Sequence, residues 1–327
     1  LRVPEDIVSF LRKEDDFLIA THINPEGDAL GSSIALSMAL ELMGKRVILY
    51  DRDPVPYFYR FLPGHERFSN SITPEASRIS NLILLDCNDP ERAELSDFVR
   101  EYRPFTVIID HHETRRDSGD LRWIVPSAAA TGQMIYHLIK EMGIGLTEEM
   151  ATNLYTAIAI DTGTFRYSNT DSSVLLDASE LVNAGADPSS IATALYDTWS
   201  RERFELLVHT LNTMEIRKVE DKVWVAITVV TREMFQRTGT GAADTENFAN
   251  FPRMIDNVLV SAFFREIEDG WKVSLRAKGG INVAKIAEAF GGGGHRNAAG
   301  YRIKGDLDKA KEALMSLITQ KSVTHYS

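Results

Sequence analysis

Four short, unbroken apolar runs, FLIATHI (17–23), RVILY (46–50), NLILLDC (81–87) and FTVIID (105–110), are each separated from the next by enough chain for a crossover. A strand that is apolar on both faces must be covered on both, the situation of a parallel sheet with helices above and below it. ALGSSIALSMALELMG supplies apolar residues at helical spacing and stops at Gly44, which suits a C-cap. Helical patterns continue in TGQMIYHLIKEMG, in TEEMATNLYTAIAI with Thr147 as N-cap, and in DSSVLLDASELVNAG. The expected fold class is α/β, with an N-terminal doubly wound domain built on a mainly parallel sheet.

Asp187 and Pro188 suit an N-cap and a first helical position, and one linker helix is expected from there to about Leu211. The pattern changes near Met214. VWVAITVV, NVLVSAFFREIEDG and WKVSLRAKG read as strands with hairpin character, INVAKIAEAF as a helix, NAAGYRI as a strand and DLDKAKEALMSLI as a closing helix. This is a smaller C-terminal α/β domain with a mixed sheet. TGTGAADTEN (238–247) is small and polar and is expected to be a mobile loop. Neither a fixed-period repeat nor a low-complexity segment is present.

Length supports two cores, since the chain has 327 residues and is 44% apolar. A net charge of −11 argues against a partner that is a long nucleic acid, because such binding needs many Lys and Arg contacts to phosphates. A small anionic substrate held by a few local cations fits. Cys87 is the only cysteine, so no intramolecular disulfide forms and a reducing compartment is expected. No apolar run approaches the roughly 18–20 residues that span a bilayer. The opening LRVPEDIVSF has neither the basic nor the apolar part of a signal segment. We therefore expect a cytoplasmic protein without a membrane partner.

In open parallel sheets ligands collect beyond the carboxyl ends of the strands. His22 ends the first run, with Glu26 and Asp28 just behind it in THINPEGDAL; Asp86 ends the third, Asp110, His111 and His112 end the fourth, and Asp161 follows LYTAIAI. Each alone reads as a cap or turn residue. Together they form a cluster that would repel itself unless cations neutralise it. Oxygen and imidazole donors without thiolate suit Mn²⁺, Mg²⁺ or Fe²⁺, and a carboxylate bridging two ions makes a hydrolytic two-metal site. Pro25 and Gly27 would shape a loop that aims Glu26 and Asp28 at neighbouring ions.

HINPEGDALGS, LLDCND, IIDHHET and AIDTGTFRYSNT resemble the four motifs of the DHH phosphoesterase superfamily, and GGGGHRNAAG (291–300) resembles the glycine-rich signature of the DHH-associated C-terminal domain. The absence of membrane, sensory or oligonucleotide-fold extensions points to the stand-alone branch, the oligoribonucleases or nanoRNases that also act as phosphatases on 3′-phosphoadenosine 5′-phosphate. The resemblance implies a catalytic domain at 1–186, a helical linker at 187–213 and a substrate-binding domain at 214–327. It implies two divalent ions, Mn²⁺ by expectation, one held by His22, Glu26 and Asp86, the other by Asp28, Asp86, His111 and Asp161. Asp86 would bridge, His112 would lie beside the substrate phosphate, and Asp110 would orient an imidazole from behind. The family usually has Asp where this chain has Glu26. Across an interdomain cleft, Gly292, Gly293, Gly294 and His295 would hold the terminal nucleotide, Arg276 matches the family's substrate arginine, and Arg265 and Arg166 are further candidate phosphate contacts.

The implied reaction removes 5′-mononucleotides from short oligoribonucleotides and converts the adenosine bisphosphate to AMP. Alternatives are a phosphodiesterase for cyclic or linear dinucleotides, an inorganic pyrophosphatase, and a nucleotide-binding protein without turnover. A homodimer is left open. Cys87 reads as a small buried hydrophobe, His65, His137, His209 and His325 as surface or packing residues, and Trp123, Trp199, Trp224 and Trp271 as packing residues.

Overall fold

A computed structural model describes residues 1–112, 118–220, 223–278 and 281–322. The chain divides into two units, Leu1–Thr198 and Trp199–Ser327. In the first, the order is α1 (Glu5–Lys13), β1 (Asp16–Ala20), α2 (Gly27–Leu42), β2 (Arg46–Tyr50), β3 (Phe68–Ser69), β4 (Asn81–Leu85), α3 (Ser96–Tyr102), β5 (Phe105–Asp110), β6 (Leu121–Ile124), α4 (Thr131–Glu141), α5 (Glu148–Asp161), α6 (Ser172–Asn183) and α7 (Pro188–Tyr196). The six strands pair in parallel in the order β3-β2-β1-β4-β5-β6. The order reverses between β1 and β4, the switch point at which such sheets open a crevice.

Alternation along the central strands explains the two covered faces. Phe17, Ile19, Ile83, Leu85, Val107 and Ile109 enter one core with α1, α2, α4, α5 and α6. Leu18, Ala20, Leu82, Leu84 and Ile108 enter a second on the other face, with Phe98 of α3. Helix α2 is buried around nearly its whole circumference, which is why its sequence is apolar or small on every side. The expected caps are present: the Thr147 side chain accepts from the N–H of Met150, and that of Asp187 from Ser189, with Pro188 opening α7.

The second unit holds α8 (Arg201–Asn212), β7 (Glu215–Glu220), β8 (Val223–Val230), α9 (Arg232–Thr238), β9 (Val258–Ile267), β10 (Gly270–Ala277), α10 (Val283–Glu288), β11 (Gly293–His295), β12 (Ala298–Lys304) and α11 (Leu307–Ser322). The sheet order is β11-β12-β10-β9-β8-β7, antiparallel except between β8 and β9, hence mixed. Helices α10 and α11 cover one face and α8, α9 and nearby 3-10 turns part of the other.

Two expectations need correction. The single helix expected from Pro188 to Leu211 is two, α7 and α8, because Ser200 caps a new start by accepting from the N–H of Arg203. The segment 238–247, expected as a mobile loop, contains a 3-10 turn at Ala242–Thr245, and the Arg203 guanidinium donates to the carbonyls of Asp244 and Glu246. Among the described residues, no helix is long and apolar enough to cross a membrane.

Candidate metal centre

The carboxyl ends of β1, β4 and β5 and the last turn of α5 meet on one side of the switch point. Asp86, just past β4, has a left-handed backbone (φ +54°), a conformation a non-glycine residue adopts at a cost of about 1–3 kcal/mol and that tends to mark functional sites. Its N–H is tied to the Ile109 carbonyl at 3.1 Å, and its carboxylate becomes a hub. His22 Nε2 stands 3.4 Å from Asp86 Oδ2, while His111 Nε2 and His112 Nδ1 each stand 3.5 Å from Oδ1. The Thr131 hydroxyl donates to the same Oδ1 at 3.1 Å.

His111 presents Nε2 to three carboxylates, at 3.0 Å from Asp161 Oδ2 and 3.5 Å from both Asp28 Oδ2 and Asp86 Oδ1. Its Nδ1 donates to the Ala128 carbonyl at 3.1 Å, which aims Nε2 at the cluster, the usual posture of an imidazole that ligates once its Nε2 proton is displaced. His22 is oriented likewise, with Nδ1 donating to the Ile23 carbonyl at 3.0 Å. His112 differs, because its Nδ1 donates to Asp110 Oδ1 at 2.7 Å.

Asp28 is held by the start of α4. The N–H groups of Thr131 and Gly132 each donate to its carboxylate at 2.7 Å, and the Ser32 hydroxyl adds a third bond at 3.0 Å. A Cβ at Gly132 would lie 2.4 Å from that of Ala157, so glycine is needed for α4 to approach this closely. Asn169 donates to the carbonyls of both Ala129 and Asp161 at 3.1 Å, joining the loop behind His111 to the end of α5.

The charges do not balance without cations. Burial, then the negative charges of Asp86 and Asp161, push the Asp28 carboxyl well above its usual range. Burial would also raise Asp86, but the positive charge of His112 and hydrogen bonds from His111 and His22 outweigh it and hold Asp86 well below. For His111 burial favours the neutral ring, and the bonds and charges of Asp161 and Asp86 reverse this and raise it well above its usual value. Protons therefore do here what a cation would do. Among the described residues no Lys or Arg is ion-paired to Asp28, Asp86 or Asp161.

The donor set fits divalent ions. The ligand atoms of His22, Glu26 and Asp86 lie within 4.8 Å of one another, as do those of Asp28, His111 and Asp161, and those of Asp86, His111 and His112. Two ligands at right angles and about 2.1 Å from one ion stand about 3 Å apart, close to the shorter separations seen here. All donors are carboxylate oxygen or imidazole nitrogen. Cys87 is no nucleophile, since burial pushes its thiol up to about 12 and its Sγ faces the Asp89 carbonyl at 3.2 Å.

Glu26 is the N-cap residue of α2 and Asp28 lies in its first turn, so the two carboxylates leave the chain on different sides and enter different groups. Arg166 is exposed and its Nε donates to the Gly163 carbonyl, with no contact to the cluster among the described residues. Arg265 and Arg276 lie on β9 and β10 of the second unit, as does the glycine run, part of which is strand β11 rather than loop. Two of these glycines have packing reasons of their own: a Cβ at Gly292 would meet the Gly300 carbonyl at 2.1 Å, and one at Gly294 the Ala298 carbonyl at 2.6 Å. The side chain of His295 lies outside the described residues, as does His325. Sequence reasoning passed over Thr131, Gly132, Ser32, Ala128 and Asn169. The Thr-Gly pair at the head of a helical pattern was the one available signal.

A family model for the DHH family, N-terminal domain, matches residues 16–158, and one for the DHHA1 domain matches residues 222–320. The bifunctional oligoribonuclease and PAP phosphatase NrnA of Thermus thermophilus is 35% identical over 309 residues, 94% of this chain and 90% of that protein. The chain belongs to the DHH family. A Bacillus subtilis protein with the same name is 27% identical over 319 residues, covering 96% of this DHH chain and 97% of the relative. The crystal structure of an exopolyphosphatase-related protein from Bacteroides fragilis superposes with a TM-score of 0.87 at 28% identity, over 97% of this chain and 96% of that one. The match to the DHH model spans β1 through most of α5 and so contains every cluster residue except Asp161.

Proposed function

We propose that this DHH-family chain is a metal-dependent phosphoesterase that hydrolyses short oligoribonucleotides to 5′-mononucleotides and 3′-phosphoadenosine 5′-phosphate to AMP. The observation that carries the reading is the convergence of two ligand groups, His22, Glu26, Asp86 and Asp28, His111, Asp161, beside one carboxylate hub. The substrates follow from the name of the relative at 35% identity.

His22, Glu26 and Asp86 would hold one ion and Asp28, Asp86, His111 and Asp161 the other, with Mn²⁺ the expected metal. When bound, such ions supply an acidified water and neutralise the phosphoryl oxygens. The chain's own residues set the stage. Ala128 and Ile23 fix the tautomers of His111 and His22 through their carbonyls, and Thr131 and Gly132 keep Asp28 from swinging away. With Nδ1 held by Asp110, His112 would donate a proton from Nε2 to the departing oxygen. Arg276, Arg265, Arg166, Gly292, Gly293, Gly294 and His295 remain the proposed substrate contacts. A single buried thiol suits work in the cytoplasm.

The test is a substrate panel: the adenosine bisphosphate, di- to penta-ribonucleotides, cyclic dinucleotides and pyrophosphate, each with Mn²⁺ and with chelator. Turnover of the first two classes that chelator abolishes is expected. Turnover confined to cyclic dinucleotides or pyrophosphate would replace this assignment, and tight nucleotide binding without turnover would make the chain a sensor.

A further inference from the structure

Ala130, the N-cap of α4, has no side chain with which to satisfy the first amides of the helix. Two of them, at Thr131 and Gly132, go to Asp28. A glutamine at the third helical position, where Gln133 stands, ordinarily reaches back to the N–H of the N-cap residue. Here it reaches one residue further, and its Oε1 accepts from the N–H of Ala129 at 3.0 Å. That N–H shares a peptide group with the Ala128 carbonyl, to which His111 Nδ1 donates at 3.1 Å. A peptide is planar and trans, so its N–H and C=O turn together and point opposite ways. Whatever holds the N–H of Ala129 therefore also aims the acceptor that sets the ring of His111.

A glutamine amide can face either way unless its surroundings distinguish the two ends. Asp177 on α6 does so. An ionised carboxylate only accepts, and Asp177 Oδ2 takes Gln133 Nε2 at 2.8 Å, which leaves Oε1 for Ala129. The same Oδ2 lies 3.0 Å from Nε2 of the half-buried His137. Gln133 and Asp177 are 2% and 6% exposed, so water competes little for either bond. On the other side of the loop Asn169 holds the Ala129 carbonyl at 3.1 Å. Apolar residues could pack this contact between α4 and α6 without burying a carboxylate, so the polar pair calls for a reason other than packing.

We propose that Gln133 and Asp177 are positioning residues for His111, locking the peptide between Ala128 and Ala129, and through it the imidazole, in the direction that ligates a divalent ion. The inference rests on the metal centre proposed above and deepens it. It extends the support of the group Asp28, His111 and Asp161 to α6, a helix that contributes no residue to the candidate ligand groups among the described residues. A carboxylate at the outer end also polarises each bond along the chain, which makes the Ala128 carbonyl a stronger acceptor and the His111 ring a better ligand.

Calorimetric titration of the metal-free full chain with Mn²⁺ tests this without turnover. The wild-type chain should bind two ions. Gln133→Leu removes the acceptor for Ala129 and should weaken one ion about tenfold, a loss typical of groups that orient a ligand, with the other nearly unchanged. Gln133→Glu should do likewise, because it sets two carboxylates face to face. Adding Asp177→Asn to Gln133→Glu should restore affinity to within about threefold of wild type, since the chain of bonds re-forms with its middle link donated from α6. That rescue separates the brace from misfolding. In a His111→Ala background Gln133→Leu should cost nothing more, whereas a further loss of similar size would show an effect not routed through His111 and overturn the assignment. Equal weakening of both ions, full affinity in both single variants, or no rescue by the paired change would overturn it as well. A wild-type chain that binds no Mn²⁺ would bring down the metal centre and this inference with it; two ions bound alike by wild type and Gln133→Leu would strike the brace alone.

Discussion

Asp86 shows how much one residue can be asked to do. Its left-handed backbone turns its carboxylate toward three imidazoles at once, so no other carboxylate can substitute for it without moving β4. Asp86→Ala should lower hydrolysis of every substrate by roughly 10³-fold or more, the loss of about 4 kcal/mol of transition-state stabilisation, measured as kcat/KM with Mn²⁺. Glu26 is a milder case. Glu26→Gln keeps the shape and removes the charge, and should weaken Mn²⁺ binding roughly tenfold or more by calorimetry, whereas Glu26→Asp should retain most of it. Asp51, after β2, is fully buried with Oδ2 lacking a hydrogen-bond partner, and burial raises its carboxyl to about 7. The unfolded chain loses this proton near pH 4 and the folded chain near 7. Between those values the folded state holds the extra proton, and stability falls as pH rises. Asp51→Asn removes that loss, so its Tm relative to wild type should climb from about pH 5 to about pH 8 and then level off; a pH-independent difference would contradict the assignment.

At the scale of elements, the packing of α2, α4 and α5 carries as much of the site as the strands do. The start of α4 reaches Asp28 in α2 only because Gly132 lets it pass Ala157 of α5. Gly132→Ala should therefore cost about 1–3 kcal/mol in denaturant unfolding and also weaken Mn²⁺ binding, since the N–H that braces Asp28 is displaced. A stability loss with metal affinity intact would show the brace to be dispensable. The same scale explains which elements could be read from sequence. RVILY and FTVIID match β2 and β5 residue for residue because strands covered on both faces are apolar along most of their length, with the polar or exposed residues confined largely to the ends. Strands β3, β6, β7 and β11 went unread. They are short or charged and lie at sheet edges, and what makes each a strand is the neighbour it pairs with.

For the whole molecule, every residue of the proposed metal centre belongs to the unit Leu1–Thr198. Hydrogen exchange should accordingly show Mn²⁺ protection at the ends of β1, β4, β5 and α5 and none of comparable size in Trp199–Ser327. The raised carboxyl of Asp28 and raised imidazole of His111 set the pH dependence. Both bind protons more tightly folded than unfolded, so their own contribution to metal-free stability is full below their unfolded values and falls as pH rises through their folded ones, whereas the depressed carboxylate of Asp86 contributes in the opposite direction and is lost only in acid. An ion must displace those protons, so Mn²⁺ affinity rises with pH, and the gain in Tm on adding Mn²⁺ should grow from about pH 6 to about pH 8. A constant gain across that range would mean the cluster is not protonated in the way described.

The amino-acid sequence alone determined the parallel-sheet frame of the first unit, the mixed sheet of the second, and the chemical identity of the donors at the strand ends. These are local properties: apolar period, cap residues and the type of side chain that follows a strand. Tertiary structure alone decided which donors meet, that Asp86 stands among three histidines, and that Thr131 and Gly132 brace an aspartate more than a hundred residues earlier in the chain. Backbone N–H and C=O groups are carried by almost every residue, so no sequence pattern marks the few that a fold turns toward a site.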